Sequence, residues 1–181
     1  FDLSEVFKFK TWEELTNIKS KKLNKSEHEG LMIKRKNSAY ISGRPKGYWY
    51  KWKNEPLVVD AVMMYAQRGH GKRSSYYSDF TFGLWDKDNI VPICKAYFGF
   101  NNEELEILDK FVRNNTINKY GPVREVEKKF VVEIAFDSVD FSKRHKSGVA
   151  LRFPRIKRLR QDKPIDEVIN INIFKANFIN Y

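Results

Sequence analysis

Five short apolar segments constrain the fold of this 181-residue chain more than any other feature of its sequence. In residues 77–85, Phe80, Phe82 and Leu84 alternate with polar or small residues, which is the pattern of a strand with one buried face. Strands are predicted at residues 57–66, 77–85, 90–98, 130–136 and 149–153. Pro154 is expected to end the last of them or to place it at a sheet edge.

One helix is predicted between the third and the fourth strand. Asn101 or Asn102 is its expected N-cap, and the helix should end near Arg113. Its inner side is predicted to be formed by Leu105, Leu108, Phe111 and Val112. Three strands, a helix and two more strands within about 100 residues indicate a mainly β fold with helices, compatible with a five-stranded Greek-key β-barrel of the OB type. A different five-stranded roll fits the same strand count equally well.

The part of the chain before Pro56 has a different pattern. Thr11 to Glu14 form a capping box, which predicts a helix to about Lys21. The buried side of that helix is predicted to contain Trp12, Leu15 and Ile18. Further strands are predicted at residues 6–9, 29–34 and 48–53, with a loop at residues 37–47.

Lys51 and Lys53 lie two residues apart in the last of these strands, so their ammonium groups project from one face. Two adjacent like charges repel each other unless an anion lies between or above them, and phosphate is the anion that lysine commonly binds. Glu29 adds a carboxylate directly before Gly30 on a neighbouring strand. One acid and two lysines suit a nucleoside phosphate with a hard cation such as Mg²⁺. An ordinary solvated strand face fits this stretch about as well.

The positive charge of the chain, +11 in total, is concentrated near its C-terminal end. Residues 141–163 contain one acidic residue, Asp162, and nine basic ones, a local net charge of +8. The nine are Lys143, Arg144, Lys146, Arg152, Arg155, Lys157, Arg158, Arg160 and Lys163. Such a concentration favours a polyanionic partner, and nucleic acid is the best candidate.

Several classes of protein are excluded or disfavoured by composition. The single cysteine, Cys94, excludes a disulfide framework and a zinc-finger cluster, which fits a reducing cytoplasm. His28, His70 and His145 are too scattered to predict a metal site. No apolar run approaches the roughly 20 residues of a membrane-spanning helix. We therefore expect a cytoplasmic protein.

Three segments together resemble motifs of a known enzyme family. Glu29-Gly-Leu-Met-Ile-Lys34, Tyr48-Trp-Tyr-Lys51-Trp-Lys53 and Arg152-Phe-Pro-Arg155-Ile-Lys-Arg158-Leu-Arg160-Gln-Asp162-Lys163 resemble nucleotidyltransferase motifs IV, V and VI of ATP-dependent DNA ligases. The resemblance extends to about Pro164. Residues 65–72 and 136–148 are most similar to bacterial ligases encoded beside a helicase and a nuclease.

The resemblance implies a division of the chain and a reaction. Residues 1–54 would be the C-terminal end of the nucleotidyltransferase (adenylation) domain, residues 55–165 an OB-fold domain and residues 166–181 a C-terminal tail. Ligases of this family use ATP and Mg²⁺ to seal nicks in duplex DNA in three steps. A lysine in a Lys-x-Asp-Gly motif takes AMP from ATP, AMP moves to the 5′-phosphate of the nick, and the 3′-OH displaces it.

The resemblance also implies roles for individual residues. Glu29 would help to hold the metal, and Lys51, Lys53 and Arg44 would bind the nucleotide phosphates. Arg160 and Lys163 would orient the departing pyrophosphate. The expected DNA contacts are Arg68, Lys72, Arg73, Lys143, Arg144, Lys146 and Arg155. Phosphoryl transfer depends on positioning and charge neutralisation, so this set of cations suits it.

The sequence departs from the family in one respect. No Asp-Gly dipeptide occurs in the chain, so the Lys-x-Asp-Gly nucleophile is absent. We therefore expect the chain to be the C-terminal part of a ligase, unable to adenylylate itself and dependent on the missing N-terminal part of the nucleotidyltransferase domain. The alternative is a non-catalytic OB-fold module that binds nucleic acid.

Overall fold

The chain forms two compact units, Phe1–Glu55 and Pro56–Tyr181, in a computed structural model. The structure describes residues 6–21 and 29–179. His28 and most of the loop before Glu29 lie outside the described residues. Each unit is described by itself below.

The first unit contains one helix and one β-hairpin. Its elements are α1 (Trp12–Lys21), β1 (Gly30–Lys34) and β2 (Trp49–Lys53). The predicted capping residues act at the start of α1: the amide of Glu14 donates to Thr11 Oγ1 at 3.2 Å, and the Glu14 carboxylate accepts from the amide of Lys10 at 2.8 Å. The first bond satisfies a backbone donor that the first helical turn leaves without a partner, whereas the second goes to Lys10, one residue before the predicted partner Thr11.

Two predictions for the first unit were wrong. Residues 6–9 form no strand. Val6 and Phe9 are exposed, so no apolar face is buried that would favour pairing. Trp12 is 67% exposed, whereas Leu15 is buried as predicted. Trp12 instead packs on the ring of Phe9, at 6.1 Å between centroids.

Strands β1 and β2 pair in antiparallel register, with Met32 opposite Lys51 and Gly30 opposite Lys53. Gly30 has φ +132°, and a Cβ atom at this position would overlap the carbonyl group of Trp52. Only glycine fits here, because any side chain would separate the two strands at the point where the lysine pair begins.

The second unit contains nine strands and two α-helices among its described residues. They are β3 (Leu57–Arg68), β4 (Tyr77–Asp86), β5 (Asn89–Ala96), α2 (Asn102–Asn114), β6 (Thr116–Tyr120), β7 (Val123–Val126), β8 (Val131–Phe136), β9 (Ser138–Phe141), β10 (Val149–Arg152), β11 (Arg155–Leu159) and α3 (Ile171–Phe178). Short 3₁₀ helices occupy Gly71–Arg73 and Ile165–Glu167.

The main sheet has the strand order β11-β8-β3-β4-β5, and all of its pairs are antiparallel. The sheet curls until its two ends approach each other, where the amide of Ile156 donates to the carbonyl of Phe98 at 3.0 Å. Gly99, with φ +100°, allows the backbones to meet, because a Cβ there would overlap the Ile156 carbonyl. This non-sequential order confirms the predicted mainly β fold with an OB-type Greek-key barrel.

The core of the barrel follows from the alternation seen in the sequence. Phe80, Phe82 and Leu84 of β4 are fully buried. A register shift between Met63 and Tyr65 in β3 marks a bulge, which changes the strand's alternation. Helix α2 begins with the expected cap at Asn101, in a reciprocal capping box with Glu104. Its buried face contains Leu105, Leu108 and Val112.

The fifth barrel strand is not the predicted one. The predicted strand at residues 149–153 corresponds to β10, which ends at Arg152 and, among the described strands, pairs with β9 alone. Phe153 has φ +52° and is exposed, so the chain turns before Pro154. The strand that pairs with β8 in the main sheet is β11, directly after this turn. Proline therefore separates two strands here.

The last part of the chain packs on the barrel. Phe174 of α3 is fully buried, 5.9 Å from the ring of Phe136 between centroids. Trp85 Nε1 donates to the carbonyl of Ile165 at 2.8 Å, which fixes the segment that leads to α3. Among the described residues, no helix has the length and hydropathy needed to cross a membrane.

Candidate active site and nucleic-acid interface

The first unit presents a lysine face on its hairpin. Because side chains alternate along a strand, Lys51 and Lys53 share one face of β2 and are both exposed. The register adds Lys34 of β1 to the same face, where its Nζ lies 4.5 Å from the centroid of the Trp49 ring. The hairpin thus presents three ammonium groups on one surface, two of which the motifs had indicated.

Glu29 and Arg44 lie near this hairpin in the chain. Glu29 directly precedes β1, and its carbonyl accepts from the amide of Asn54 at 3.1 Å. Arg44 is exposed in the connection between β1 and β2. Within the part of the chain that the structure describes, no three His, Cys, Asp or Glu side chains are grouped so that they could hold a metal. Mg²⁺ is commonly held by one or two carboxylates together with substrate phosphates, so the metal role expected of Glu29 does not require such a group.

Arg160 and Lys163, the two cations expected at the pyrophosphate, meet in the second unit just after β11. Arg160 Nη1 donates to Asp60 Oδ2 at 3.0 Å, and Lys163 Nζ donates to the same oxygen at 2.9 Å. The Arg160 and Lys163 side chains are each 18% exposed, and that of Asp60 is 16% exposed. Asp60 lies on β3, so strands distant in sequence bring this trio together.

A second carboxylate holds the other edge of the Arg160 guanidinium. Arg160 Nε and Nη2 donate to Asp162 Oδ1 and Oδ2 at 3.0 and 2.9 Å. The hydrogen bond to Asp162 raises the pKa of Arg160, and the hydrogen bond from Arg160 lowers the pKa of Asp162. Both groups are therefore charged throughout the physiological pH range.

Neighbouring carboxylates neutralise further cations of the basic run. Glu133, opposite Asp60 on β8, contacts Lys157 Nζ at 3.1 Å and Arg158 Nη2 at 3.9 Å. Arg155 Nη1 donates to Asp137 Oδ1 at 3.0 Å, so this expected DNA contact is held by an ion pair. Four carboxylates thus contact the five cations of residues 155–163 and offset most of the positive charge of that segment.

A groove of about 800 Å³ lies on the outer face of strands β3, β4 and β5. Four basic side chains line it: Lys95, Arg144, His145 and Lys146. Tyr65 and Tyr97 contribute aromatic surface, and Asp79 is the acidic residue of the lining. One face of an OB barrel and its loops commonly bind nucleic acid, and this groove lies on such a face.

Two loops carry the remaining residues expected at DNA. Lys143, with Arg144 and Lys146, lies in the turn between β9 and β10 and is exposed. Arg73 Nη1 donates to the carbonyl of Tyr97 at 3.4 Å, which brings the loop after β3 to the groove. Lys72 lies in the 3₁₀ helix of that loop. Arg68 ends β3 and stacks 5.7 Å from the centroid of the Tyr77 ring.

Sequence reasoning missed three residues of these sites: Asp60, Lys95 and Tyr97. The sequence contains a signal for Asp60, a single carboxylate within the apolar segment Leu57–Met64 of a strongly basic chain. Lys95 and Tyr97 have no comparable signal, because the groove forms only when the loop between β9 and β10 folds over β5.

Two other polar residues have structural explanations. Burial raises the pKa of the Cys94 thiol to about 12, so it stays protonated and unreactive. His145 Nδ1 lies 2.9 Å from the carbonyl oxygen of Val149, which fixes the turn between β9 and β10.

Comparisons with known proteins identify the family of the chain. Residues 73–163 match the family model described as ATP dependent DNA ligase C terminal region. The chain is 45% identical over 155 residues to a probable DNA ligase of Koribacter versatilis, covering 83% of this chain and 27% of that protein. It is 36% identical over 157 residues to a DNA ligase of Archaeoglobus fulgidus, covering 83% of this chain and 28% of the relative. The chain thus spans about a quarter of the length of these curated relatives.

Solved ligase structures share the fold. The ligase domain of M. tuberculosis LigD superposes with a TM-score of 0.54 at 21% identity, covering 77% of this chain and 46% of that one. The structure named Pmar-Lig_Pre gives a TM-score of 0.63 at 20% identity, covering 82% of this chain and 30% of that one. The family match includes α2, the main-sheet strands β4, β5, β8 and β11, and the Arg160–Lys163 pair. The chain therefore belongs to the family of ATP-dependent DNA ligase C-terminal regions.

Proposed function

We propose that this chain is the C-terminal portion of an ATP-dependent DNA ligase that seals nicks in duplex DNA through AMP–lysine and AMP–DNA intermediates. Residues 1–54 would complete the nucleotidyltransferase domain, residues 55–165 would form the OB domain, and residues 166–181 would follow as a C-terminal tail. The observation that carries the proposal is the convergence of Arg160 and Lys163 on Asp60, within the segment that matches the family.

Arg160 and Lys163 have donors left for a phosphate ligand. A guanidinium has five N–H donors and an ammonium three. In the structure, Arg160 uses Nε, one N–H of Nη1 and one of Nη2, while Lys163 uses one N–H for Asp60. Two donors therefore remain on each side chain. They would orient the departing pyrophosphate during adenylylation, where catalysis relies on positioned positive charge.

The hairpin of the first unit would bind the nucleotide phosphates through Lys51 and Lys53, assisted by Arg44 from the adjoining loop. Glu29 would hold Mg²⁺, which neutralises phosphate charge when it is bound. The exposed lysine face supports this role, because three ammonium groups on one strand surface are stabilised by an anion.

The groove and its two loops would bind nicked duplex DNA. Lys95, Arg144 and Lys146 line the groove, and Lys143 lies in the same turn. Arg68, Lys72 and Arg73 would extend this surface along the loop after β3. Contacts from these cations would be mainly to phosphate and largely independent of base sequence. Arg155 was also expected to contact DNA. It would do so while its guanidinium keeps the ion pair with Asp137.

The alternative function, a non-catalytic module that binds nucleic acid, leaves the lysine face without a role. It also gives no reason for two cations to converge on one buried carboxylate away from the groove. The ligase function explains both features. We expect the protein to act in the cytoplasm.

The test uses labelled ATP and Mg²⁺. This chain alone should form no covalent AMP adduct, because it contains no Lys-x-Asp-Gly. Adding a nucleotidyltransferase segment that carries this motif, in trans or by fusion, should give both an AMP–lysine adduct and nick sealing. We refer to this combination as the reconstituted ligase. An AMP label that stays on a lysine of the chain alone after denaturation, or no sealing by the reconstituted ligase, would contradict the proposal.

A further inference from the structure

Asp60 is poorly explained as an ordinary structural ion pair. Both cations share its Oδ2 atom, whereas Oδ1 is buried and has no hydrogen-bond partner among the described residues. A buried carboxylate oxygen without a partner costs free energy, so buried polar groups in native proteins are nearly always paired. A carboxylate placed only to stabilise the fold would be expected to use both oxygens.

The position of Asp60 favours a role towards the two cations. It projects from β3, a strand held on both sides by β8 and β4. Arg160 and Lys163 follow β11, where Arg160 donates its amide to the carbonyl of Val131 at 3.0 Å and the amide of Lys163 donates to the Arg160 carbonyl at 3.2 Å. Asp60 is the point at which this less regular segment is fixed, through its side chains, to a central strand.

We infer that Asp60 is a positioning residue, which holds the head groups of Arg160 and Lys163 side by side so that their remaining donors face one polyphosphate ligand. The inference rests on the proposed function in assigning those two cations to pyrophosphate. Asp60 itself does not touch the ligand, since an anion would repel it. Its role is to restrict the conformations of two long side chains before the ligand binds.

Asp60 also has an effect that opposes ligand binding. Asp60 lowers the positive charge of the site, so its removal strengthens the electrostatic attraction for an anion. Two features indicate that positioning is the larger effect. The side chains of Asp60, Arg160 and Lys163 are only 16–18% exposed. Asp60 Oδ2 lies at hydrogen-bond distance from both the guanidinium and the ammonium group. Misplacing a catalytic group by about 1 Å costs up to about 100-fold in rate.

The experiment measures binding of inorganic pyrophosphate to this chain by calorimetry at low salt, without Mg²⁺. The central variant is Asp60→Asn, which is isosteric and keeps an oxygen that can accept hydrogen bonds, but removes the negative charge that holds both cations. Glu133→Gln is the matched control: Glu133 lies opposite Asp60 on β8, is 14% exposed and also pairs with two cations, Lys157 and Arg158. The double variant Arg160→Ala/Lys163→Ala tests the ligand assignment itself.

We expect pyrophosphate affinity to fall about tenfold in Asp60→Asn and by less than about twofold in Glu133→Gln. The double variant should bind at least as weakly as Asp60→Asn. Pyrophosphate affinity is the readout that a structural role alone would not change, and proton signals of the Lys163 ammonium group report on its contact with Asp60. They should be protected from exchange in the parent chain and in Glu133→Gln and lost in Asp60→Asn, with Lys163→Arg identifying them.

Folding of each variant is checked by its amide spectrum. If Asp60→Asn does not fold, Asp60→Glu replaces it, because it keeps the charge but moves the carboxylate by one methylene. That variant should show a smaller loss of affinity, and parent-like affinity would overturn the inference.

The outcomes separate the two proposals. If the double variant loses pyrophosphate affinity while Asp60→Asn binds as well as the parent or more tightly, Asp60 does not position the pair and only the inference fails. Equal losses in Asp60→Asn and Glu133→Gln would also overturn it, as a general charge effect. If the double variant binds like the parent chain, the assignment of Arg160 and Lys163 to pyrophosphate fails, and the inference fails with it.

Discussion

The basic run at residues 141–163 is continuous in sequence but forms two different regions in the structure. Lys143, Arg144 and Lys146 lie in the turn between β9 and β10, are exposed, and have no carboxylate within ion-pair distance in the described parts of the chain. The cations of β11 and the residues after it pair with Asp60, Glu133, Asp137 and Asp162.

This difference separates two uses of positive charge. Exposed cations without carboxylate partners displace the counterions condensed on a polyanion. This gives affinity without requiring a precise arrangement of the cations. Cations held by carboxylates contribute little to the long-range field, but they are fixed in direction, as a reaction with one geometry requires. Net charge along a sequence cannot distinguish these cases.

The largest expected effect concerns the cations of residues 155–163, which are held by carboxylates and which we call the anchored region. In the reconstituted ligase, Arg160→Ala/Lys163→Ala should reduce the rate of AMP–lysine formation about 1,000-fold, because cations that stabilise transferring phosphoryl groups have effects of this size. DNA affinity should change by less than about twofold. The control, Lys143→Ala/Arg144→Ala, should leave adenylylation unchanged. If both pairs affect the two assays equally, the two regions are not functionally distinct.

The next effect tests the exposed region. If about four to six cations contact phosphates, DNA affinity should fall by two to three decades between about 50 and 200 mM salt. Arg144→Ala/Lys146→Ala should make the slope of log K against log salt shallower by about 2. Lys157→Ala/Arg158→Ala, which removes cations paired with Glu133, should change the slope by less than about 1. A larger change with the paired cations would reverse the comparison.

A smaller effect concerns stability. Asp60→Asn should lower the free energy of unfolding by about 1–2 kcal/mol, because it removes the negative charge that compensates two half-buried cations and weakens their hydrogen bonds. Arg144→Ala, in the exposed turn, should change it by less than about 0.5 kcal/mol. Urea denaturation of both variants measures the difference. Equal stability of the two would show that the anchored cations are solvated like the exposed ones.

The smallest effect is the pH dependence contributed by Asp162. Its pKa is lowered in the folded chain by the hydrogen bond from Arg160, so its contribution to stability is present above its unfolded pKa of about 3.9. The contribution is lost as the pH falls through the lower folded value. The stability of the parent chain and of Asp162→Asn should therefore differ slightly near neutral pH and converge in acid. A difference that grows as the pH is lowered would contradict this assignment.

Local patterns account for the parts of the fold that the sequence predicted well. The alternation of Phe80, Phe82 and Leu84 and the cap at Asn101 are decided by neighbours within a few residues. The prediction placed the fifth barrel strand at β10, whereas the structure has it at β11. The difference arises because Phe153 adopts a positive φ, which moves the turn ahead of Pro154. Helix α3 was missed because its burial depends on Phe136, a distant residue of β8.

The candidate site was predictable in its cations but not in their partners. The motifs name Arg160 and Lys163, and strand periodicity places Lys51 and Lys53 on one face. Asp60 is 100 residues away from Arg160, so only the pairing of β3 with β8, and of β8 with β11, brings them together. Such contacts depend on sheet order, which a single sequence does not specify.

Strand β3 extends from the Arg160–Lys163 pair to the loop that we propose contacts DNA. Asp60 lies near its beginning and Arg68 at its end, a separation of eight residues along one strand. At about 3.3 Å per residue this corresponds to roughly 25 Å. Because β3 is hydrogen-bonded on both sides, the backbone fixes the distance between Asp60 and Arg68. A substrate that engages both ends would therefore have to match a fixed length.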